Sequence, residues 1–410
     1  MKVEQALLGI LDPRNQTRQS GTELTSRDWE TMLVMARQHR LGPLLHWRLA
    51  RSMTSLNVPR PFRDNIAASF RKHAARSVQL QYEIVRTHRL LRGCGINAVF
   101  LKGAFLAFQV YPHAALRPLR DLDVLVPRDR AMDAFDALLT AGFTRAVYSF
   151  GDPGAAVGCM KHLPVLECPS SRVAIELHTR LITPQDNPAR RRPEPADNPA
   201  VWKRLMYREM AGEQIAFLSP ADQLLHLIIH AAFDHRLGSG PLVLTDIAGL
   251  VRQTDIHWPT FWRMAAEGGW IRECTLLLHV TDRFCGPLSF VAPTFADLPQ
   301  LPEGLVTTTA LLMLGDLEQH NNIGLRADLS EAQSVTGRLR ILLRKIFPSR
   351  QRLAGVGAAA QSPLLEHNLY LAHWWRLITT RAPQYFASRR DHRAASQSAA
   401  LAKLSRWLAQ

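Results

Sequence analysis

The feature that most limits the fold is an abrupt change of period near residue 95. From Pro59 and Pro61 to about Arg92, the apolar positions Ala67, Phe70, Ala74, Val78, Tyr82 and Val85 recur at three- and four-residue steps, with Leu90 five further on, close to the spacing of one helix face. Gly93 and Gly95 end that pattern, and Asn97-Ala-Val-Phe-Leu101 follows as a short apolar run with β-formers, which predicts a buried strand. Gly103 comes at once, and residues 104–110 read as the opening of a helix. After a basic loop with Arg117 and Arg120, a second strand is predicted over residues 121–126, ended by Pro127. A helix over residues 130–141, closed by Gly142, and a β-hairpin of runs 161–168 and 172–178 around Pro169-Ser170-Ser171 complete a small α/β unit.

Helices flank that unit. Upstream, Thr25 and Ser26 are N-cap types with Asp28 and Glu30 in the first turn, and Leu33, Ala36 and Leu41 follow at roughly helical spacing. Downstream, residues 183–200 hold five prolines and three consecutive arginines without apolar periodicity, which predicts a linker or long loop. Helices are then predicted over 220–236, 241–253, 258–268, 271–285 and 303–320, and 353–362 is rich in Gly and Ala. The expected organisation is a helical region 1–93, an α/β core 94–182, a linker 183–200, a helical substrate-binding domain 201–330 and a basic, partly helical tail 331–410.

Composition narrows the class. Apolar residues make up 47% and charged residues 21% of 410, which excludes wholesale disorder and collagen-like or disulfide-scaffold chains. Five cysteines without a Cys-x-x-Cys pair suit a reducing compartment. With no signal-peptide core or long apolar run, a soluble, cytoplasmic protein without a transmembrane segment is expected. The net charge is +15, but residues 337–410 carry thirteen Lys/Arg against two acids, or +11 of it. The charge therefore describes the tail and does not by itself make the body a nucleic-acid binder.

Asp121 and Asp123 stand two apart on the predicted strand and share a face, while Leu122, Val124 and Val126 point to the core. Paired carboxylates repel unless a cation lies between them, an arrangement suited to Mg2+. Glu176, mid-strand in Val173-Ala-Ile-Glu176-Leu-His178, can supply a third acid for a two-metal site and activate an attacking hydroxyl; Glu167 on the partner run competes for that place. Gly103 at the strand-to-helix turn would let backbone N–H groups approach a triphosphate. The plainer reading is a salt-bridged strand edge, with Arg117 or Arg120 neutralising the acids and Lys102 a solvated strand-end lysine. Arg117 and Arg120 could equally clamp phosphate oxygens. His178 shares the face of Glu176 and could orient it, contact phosphate or be a hydrogen-bonded strand-end histidine.

In order, these elements resemble the nucleotidyltransferase superfamily that includes the DNA polymerase β type enzymes. More closely, "LKGAFLAFQVYPHAALRPLRDLDVLVPRDRAMDAFDALLTAGF", "VAIELHTRL" and "LLHLIIHAAFDHR…LTDIAGL" look like the uncharacterised nucleotidyltransferase family, over roughly residues 28–290. The resemblance implies an α+β fold, a small mixed β-sheet with helices flanked by N- and C-terminal helical domains. It also implies transfer of a nucleoside monophosphate from an NTP, ATP as the first candidate, to an acceptor hydroxyl, with Mg2+ or Mn2+ and release of pyrophosphate. By position, Asp121, Asp123 and Glu176 would bind metal and Gly103 would sit in the phosphate turn, with Lys102, Arg117, Arg120 and His178 as further nucleotide contacts. One departure stands out: the superfamily prefers Gly-Ser or Gly-Gly in that turn, where this chain has Lys102-Gly103-Ala104. Lys102 either supplies a compensating charge or marks an altered phosphate site, so a catalytically altered binding module and a related phosphotransferase stay open.

Two further groups stand out. His226 and His230 are four apart on a predicted helix, but Leu227 replaces the Glu that a zinc-protease motif needs. His230 and Asp246 match polar positions of the family's helical part, a candidate acceptor site, with a backbone-bonded buried histidine as the alternative. In the tail, Trp374, Trp375, Tyr385 and Phe386 interleave with Arg376, Arg381, Arg389 and Arg390, which suits an anionic partner, nucleic acid or membrane surface, or simply a helix with aromatics inward.

Overall fold

The computed structural model describes residues 2–12, 24–51, 57–183 apart from 148 and 150, 199–350 apart from 296 and 333, 353, and 369–410 apart from 390. Most of the expected linker (184–198) and of the Gly/Ala-rich stretch (354–362) lie outside the described residues. The chain forms two compact units, each assembled from three separate stretches.

One unit comprises Met1–Ile84, Leu101–Arg120 and Phe217–Leu317 and is helical. Its helix Ser26–Gln38 opens with a reciprocal capping box: the Asp28 amide donates to Thr25 Oγ1 (3.2 Å) and the Thr25 amide to Asp28 Oδ2 (2.9 Å). Helix Pro220–Ile229 is followed by Leu242–Gln253, Trp258–Gly268 and Ile271–Cys285, the last three within one residue of the bounds the periodicity predicts. The expected helix over 220–236 ends at Ile229, and residues His230–Asp234 continue as a π turn. The expected helix over 303–320 is confined to Leu305–Met313. Trp262, Trp270, Phe261, Leu8 and Leu45 are among the fully buried side chains that make its core.

The other unit comprises Val85–Phe100, Asp121–Ala216 and Glu318–Gln410, and among the described residues it holds a seven-stranded mixed sheet. The strands are β1 (Val99–Phe100), β2 (Asp121–Leu125), β3 (Thr144–Arg145), β4 (Leu166–Glu167), β5 (Ala174–His178), β6 (Met206–Met210) and β7 (Glu213–Phe217), in the order β3-β4-β5-β2-β1-β7-β6. β2 runs parallel to β5, while β1 pairs with β2, and β4 with β5, antiparallel. Helix Ala131–Thr140 packs against β5 and buries Ala131, Ala134, Phe135 and Leu138, one stripe at helical spacing. The long helix Arg60–Gly93 contributes its last turns here, where Arg89 Nε and Arg92 Nη1 bind Glu213 at 2.7 and 2.8 Å. In the tail, helices His320–Glu331 and His392–Leu408 pack together, with Ile323, Gly324, Ala327, Leu401 and Leu404 buried and the Ser398 hydroxyl donating to the Ile323 carbonyl at 3.3 Å.

The fold is thus α+β, a mixed sheet with helices and flanking helical segments. It differs from the periodicity reading mainly at β6 and β7, which lie where only helices were expected. Their hairpin turns at Ala211 and Gly212, with φ of +49° and +80°. A tight turn with two such residues normally announces itself as Asn-Gly or Asp-Gly, so alanine in the first place hides the signal. The first arm of the expected 161–168/172–178 hairpin is also shorter than predicted: it is a strand only at Leu166–Glu167, with His162 bridged separately to His178.

Candidate functional site

Register builds the acidic cluster. In the parallel pair, Asp121 faces Ala174, Asp123 faces Glu176 and Leu125 faces His178. Paired residues of neighbouring strands share a face, so Asp121, Asp123, Glu176 and His178 project from one side of the sheet. Leu122, Val124, Ile175 and Leu177, all essentially inaccessible to water, project from the other. Alternation along two apolar strands therefore delivers the carboxylates to one wall.

His178 ties the cluster together. Its Nε2 lies 2.7 Å from Asp123 Oδ1 and 3.4 Å from Glu176 Oε2, and its Nδ1 faces the Arg180 carbonyl at 3.3 Å. His162, which the sequence reading did not single out, places Nε2 3.6 Å from Glu176 Oε2, while its Nδ1–H donates to the Leu163 carbonyl at 2.8 Å. Its only sequence signal was a polar residue in a run expected to be strand.

Burial alone would raise the Glu176 carboxyl, but the hydrogen bond from His178 and the charge of His162 outweigh it and hold the group at about 2. Burial lowers the His162 imidazole, and the Glu176 charge only partly opposes that. Glu167, the competing acid, is bound by Arg172 at 2.7 Å.

One oxygen of Asp123, one of Glu176 and a ring nitrogen of His178 lie within 4.8 Å of one another, and among the described residues this is the group of three that could hold a metal ion. Two carboxylate oxygens and an imidazole nitrogen fit a divalent cation. Asp121 shares their face, one step along β2, but does not belong to that group.

The remaining candidates lie in the helical unit. Lys102, between β1 and the turn Gly103–Phe105, has φ +46° and ψ −113°, a conformation that L residues rarely adopt. It is buried, and its carbonyl accepts from Gln223 Nε2 at 3.3 Å. Gly103 is required by close approach: a Cβ there would lie 2.2 Å from Leu119 Cδ2 and 3.1 Å from Arg117 Nη1. Arg120 is exposed.

Arg117, expected near phosphate or the acids, instead engages Asp246, with Nη2 2.8 Å from Oδ2 and Nε 3.2 Å from each oxygen. Asp246 is fully buried and also accepts from Tyr111 Oη at 2.9 Å; that phenol lies 2.7 Å from Thr245 Oγ1. Burial and the Asp246 charge push Tyr111 up, so it stays a protonated donor. His230 pairs elsewhere: its Nε2 is 3.0 Å from His235 Nε2, with His226 packed edge-on at 6.1 Å.

An acidic wall on a short mixed sheet, with a glycine turn after the first strand and a helical region around it in sequence, is the arrangement of a nucleotidyltransferase. Residues 25–286 match the family described as "Uncharacterised nucleotidyltransferase", and the chain belongs to that family. Among curated proteins none matches the chain. No helix among the described residues is long and apolar enough to cross a membrane.

Proposed function

We propose that the chain transfers a nucleoside monophosphate from an NTP, ATP as the first candidate, to an acceptor hydroxyl, releasing pyrophosphate, with Mg2+ or Mn2+ at the acidic wall. The observation that carries this reading is the register that sets Asp123 directly opposite Glu176, with His178 bridging both. When bound, the divalent ion would offset the charge of the carboxylates and of the phosphates they would otherwise repel. Asp123 and Glu176 would hold it together with the His178 imidazole, with Asp121 on the same face as the next ligand. Glu176 would serve as a ligand, and the hydroxyl proton leaves to solvent as the new O–P bond forms and the bond to pyrophosphate breaks. The Lys102 and Arg120 side chains are the cations assigned to phosphate. Arg117, Asp246 and Tyr111 form a structural network rather than contacting substrate, and the acceptor site, including any part played by His230, belongs to the helical unit.

The test uses the full chain, α- or γ-labelled NTP, Mn2+ or Mg2+ and a cell extract as the source of acceptors. Label should move from the α position, and the double variant Asp121→Asn, Asp123→Asn should abolish it with the fold intact by circular dichroism. Transfer surviving in that variant sinks the assignment, and label moving only from the γ position makes the protein a phosphotransferase. One observation favours a second reading, a nucleotidyltransferase-fold binding module that has lost the chemistry: the Leu119 side chain already occupies the space that Gly103 leaves open. Calorimetry showing no NTP binding at millimolar ligand with Mg2+ would select it.

A further inference from the structure

The helix Val335–Ile346 keeps its apolar face in water. Val335, Leu339, Leu342, Leu343, Ile346 and the adjoining Phe347 are each between 37% and 79% exposed, and the helix has no buried residue. At 100° per residue, the first five fall within one stripe about a quarter of the way round the helix. Arg338 and Lys345 lie beyond one edge of that stripe and Arg340 beyond the other, with Arg344 further round, and no acid interrupts it. Ile341 and Gly337, the less exposed positions, lie on the opposite side.

A second segment has the same character. The Tyr370 hydroxyl and the Trp374 indole donate to the carbonyls of Pro348 and Ile346, each at 2.8 Å, and Trp374 packs edge-on against Phe347 at 5.7 Å. These contacts tie the helix Leu369–Arg376 to the end of the first helix. They also turn the neighbours outward: Leu371, Trp375, Ile378 and Phe386 are 48–70% exposed, beside Arg376.

We propose that this tail is a docking surface for an anionic lipid bilayer, on which the helix Val335–Ile346 lies in the interface with its leucines and Ile346 in the acyl boundary. Lys and Arg at both margins of an apolar stripe can bury their stems and leave their charges at the headgroups. Charge complementarity selects this occupant. A second copy would bring the same cations against these. A nucleic acid would satisfy the arginines but leave Leu339, Leu342 and Ile346 without a partner, since phosphates offer nothing to aliphatic side chains. The inference stands whether or not nucleotidyl transfer is the reaction.

Sedimentation of the full chain with vesicles tests it, comparing phosphatidylcholine alone with a mixture in which phosphatidylglycerol is about a third of the lipid. Binding to the mixed vesicles should exceed binding to the neutral ones by about tenfold or more. Two variants should each lose it: Leu342→Asp with Ile346→Asp, and Arg338→Glu with Arg340→Glu. All four side chains are exposed, and matching melting curves establish that the fold is kept. No preference for the anionic vesicles overturns the proposal, as does binding that survives in the Leu342→Asp, Ile346→Asp variant. A dimer in light scattering that the same variant dissociates would assign the face to a second copy. Oligonucleotide binding that depends on the arginines alone, without vesicle binding, would assign it to nucleic acid.

Discussion

Arg117 grips the fully buried carboxylate of Asp246 with Nη2 and Nε, at 2.8 and 3.2 Å from Oδ2, across 129 residues of sequence. Removing one partner of such a pair strands the other charge, at a cost of about 3 kcal/mol or more. Arg117→Ala and Asp246→Ala should each lower stability to urea by that order. The double variant should lose far less than the sum, with a coupling of about 2 kcal/mol. Additive losses would mean that the two side chains act independently, which would return Arg117 to the list of phosphate contacts.

The turn after β1 makes a prediction of opposite sign at neighbouring positions. Lys102→Gly removes a strained positive-φ residue and should stabilise the fold by about 1 kcal/mol, while lowering nucleotide affinity if its charge serves phosphate. Gly103→Ala should destabilise it by about 1–3 kcal/mol as Leu119 is forced aside. Urea titration checks both, and a loss of stability in Lys102→Gly would contradict this account of the turn.

The donor set at the acidic wall predicts which ion binds better. An imidazole beside two carboxylates favours Mn2+ over Mg2+, which prefers all-oxygen surroundings. Calorimetric titration should show tighter Mn2+ binding, and His178→Gln should narrow the gap. Equal affinities in the parent chain would make His178 a positioning residue for Asp123 instead of a ligand.

Burial holds the His39 imidazole at about 4, against an ordinary 6.5, with the Arg40 charge adding to the shift and the Leu314 backbone and Asp316 opposing it. Between those values the unfolded chain takes up a proton that the folded chain refuses. Stability should therefore fall as pH drops from about 6.5 to about 4, by roughly 3 kcal/mol in all, and be insensitive to this group above that range. Urea midpoints of the parent chain and of His39→Gln at pH 7 and pH 4.5 measure the difference; parallel losses in both would place the acid sensitivity elsewhere.

What was legible in the sequence was local or periodic. The Thr25–Asp28 capping box is written in four consecutive residues, and the alternation in Asp121-Leu-Asp123-Val sorts acids from core without reference to the rest of the chain. The choice of Glu176 over Glu167 came from the family resemblance and not from periodicity, because it depends on β2 lying beside β5 and on Arg172 reaching Glu167. His162 and the Arg117–Asp246 pair were missed for the same reason: their partners are set by tertiary packing, which leaves no periodic trace.

The interleaving of the two units has a consequence for how the protein is made. Because the helical unit takes residues Met1–Ile84, Leu101–Arg120 and Phe217–Leu317, it stays incomplete until the ribosome has passed Leu317, and the sheet-bearing unit runs to Gln410. Neither can be excised as a contiguous fragment. The acid-bearing strands emerge early but must wait for later segments, so a nascent chain stalled before residue 217 would expose both sets of apolar surface to chaperones and proteases.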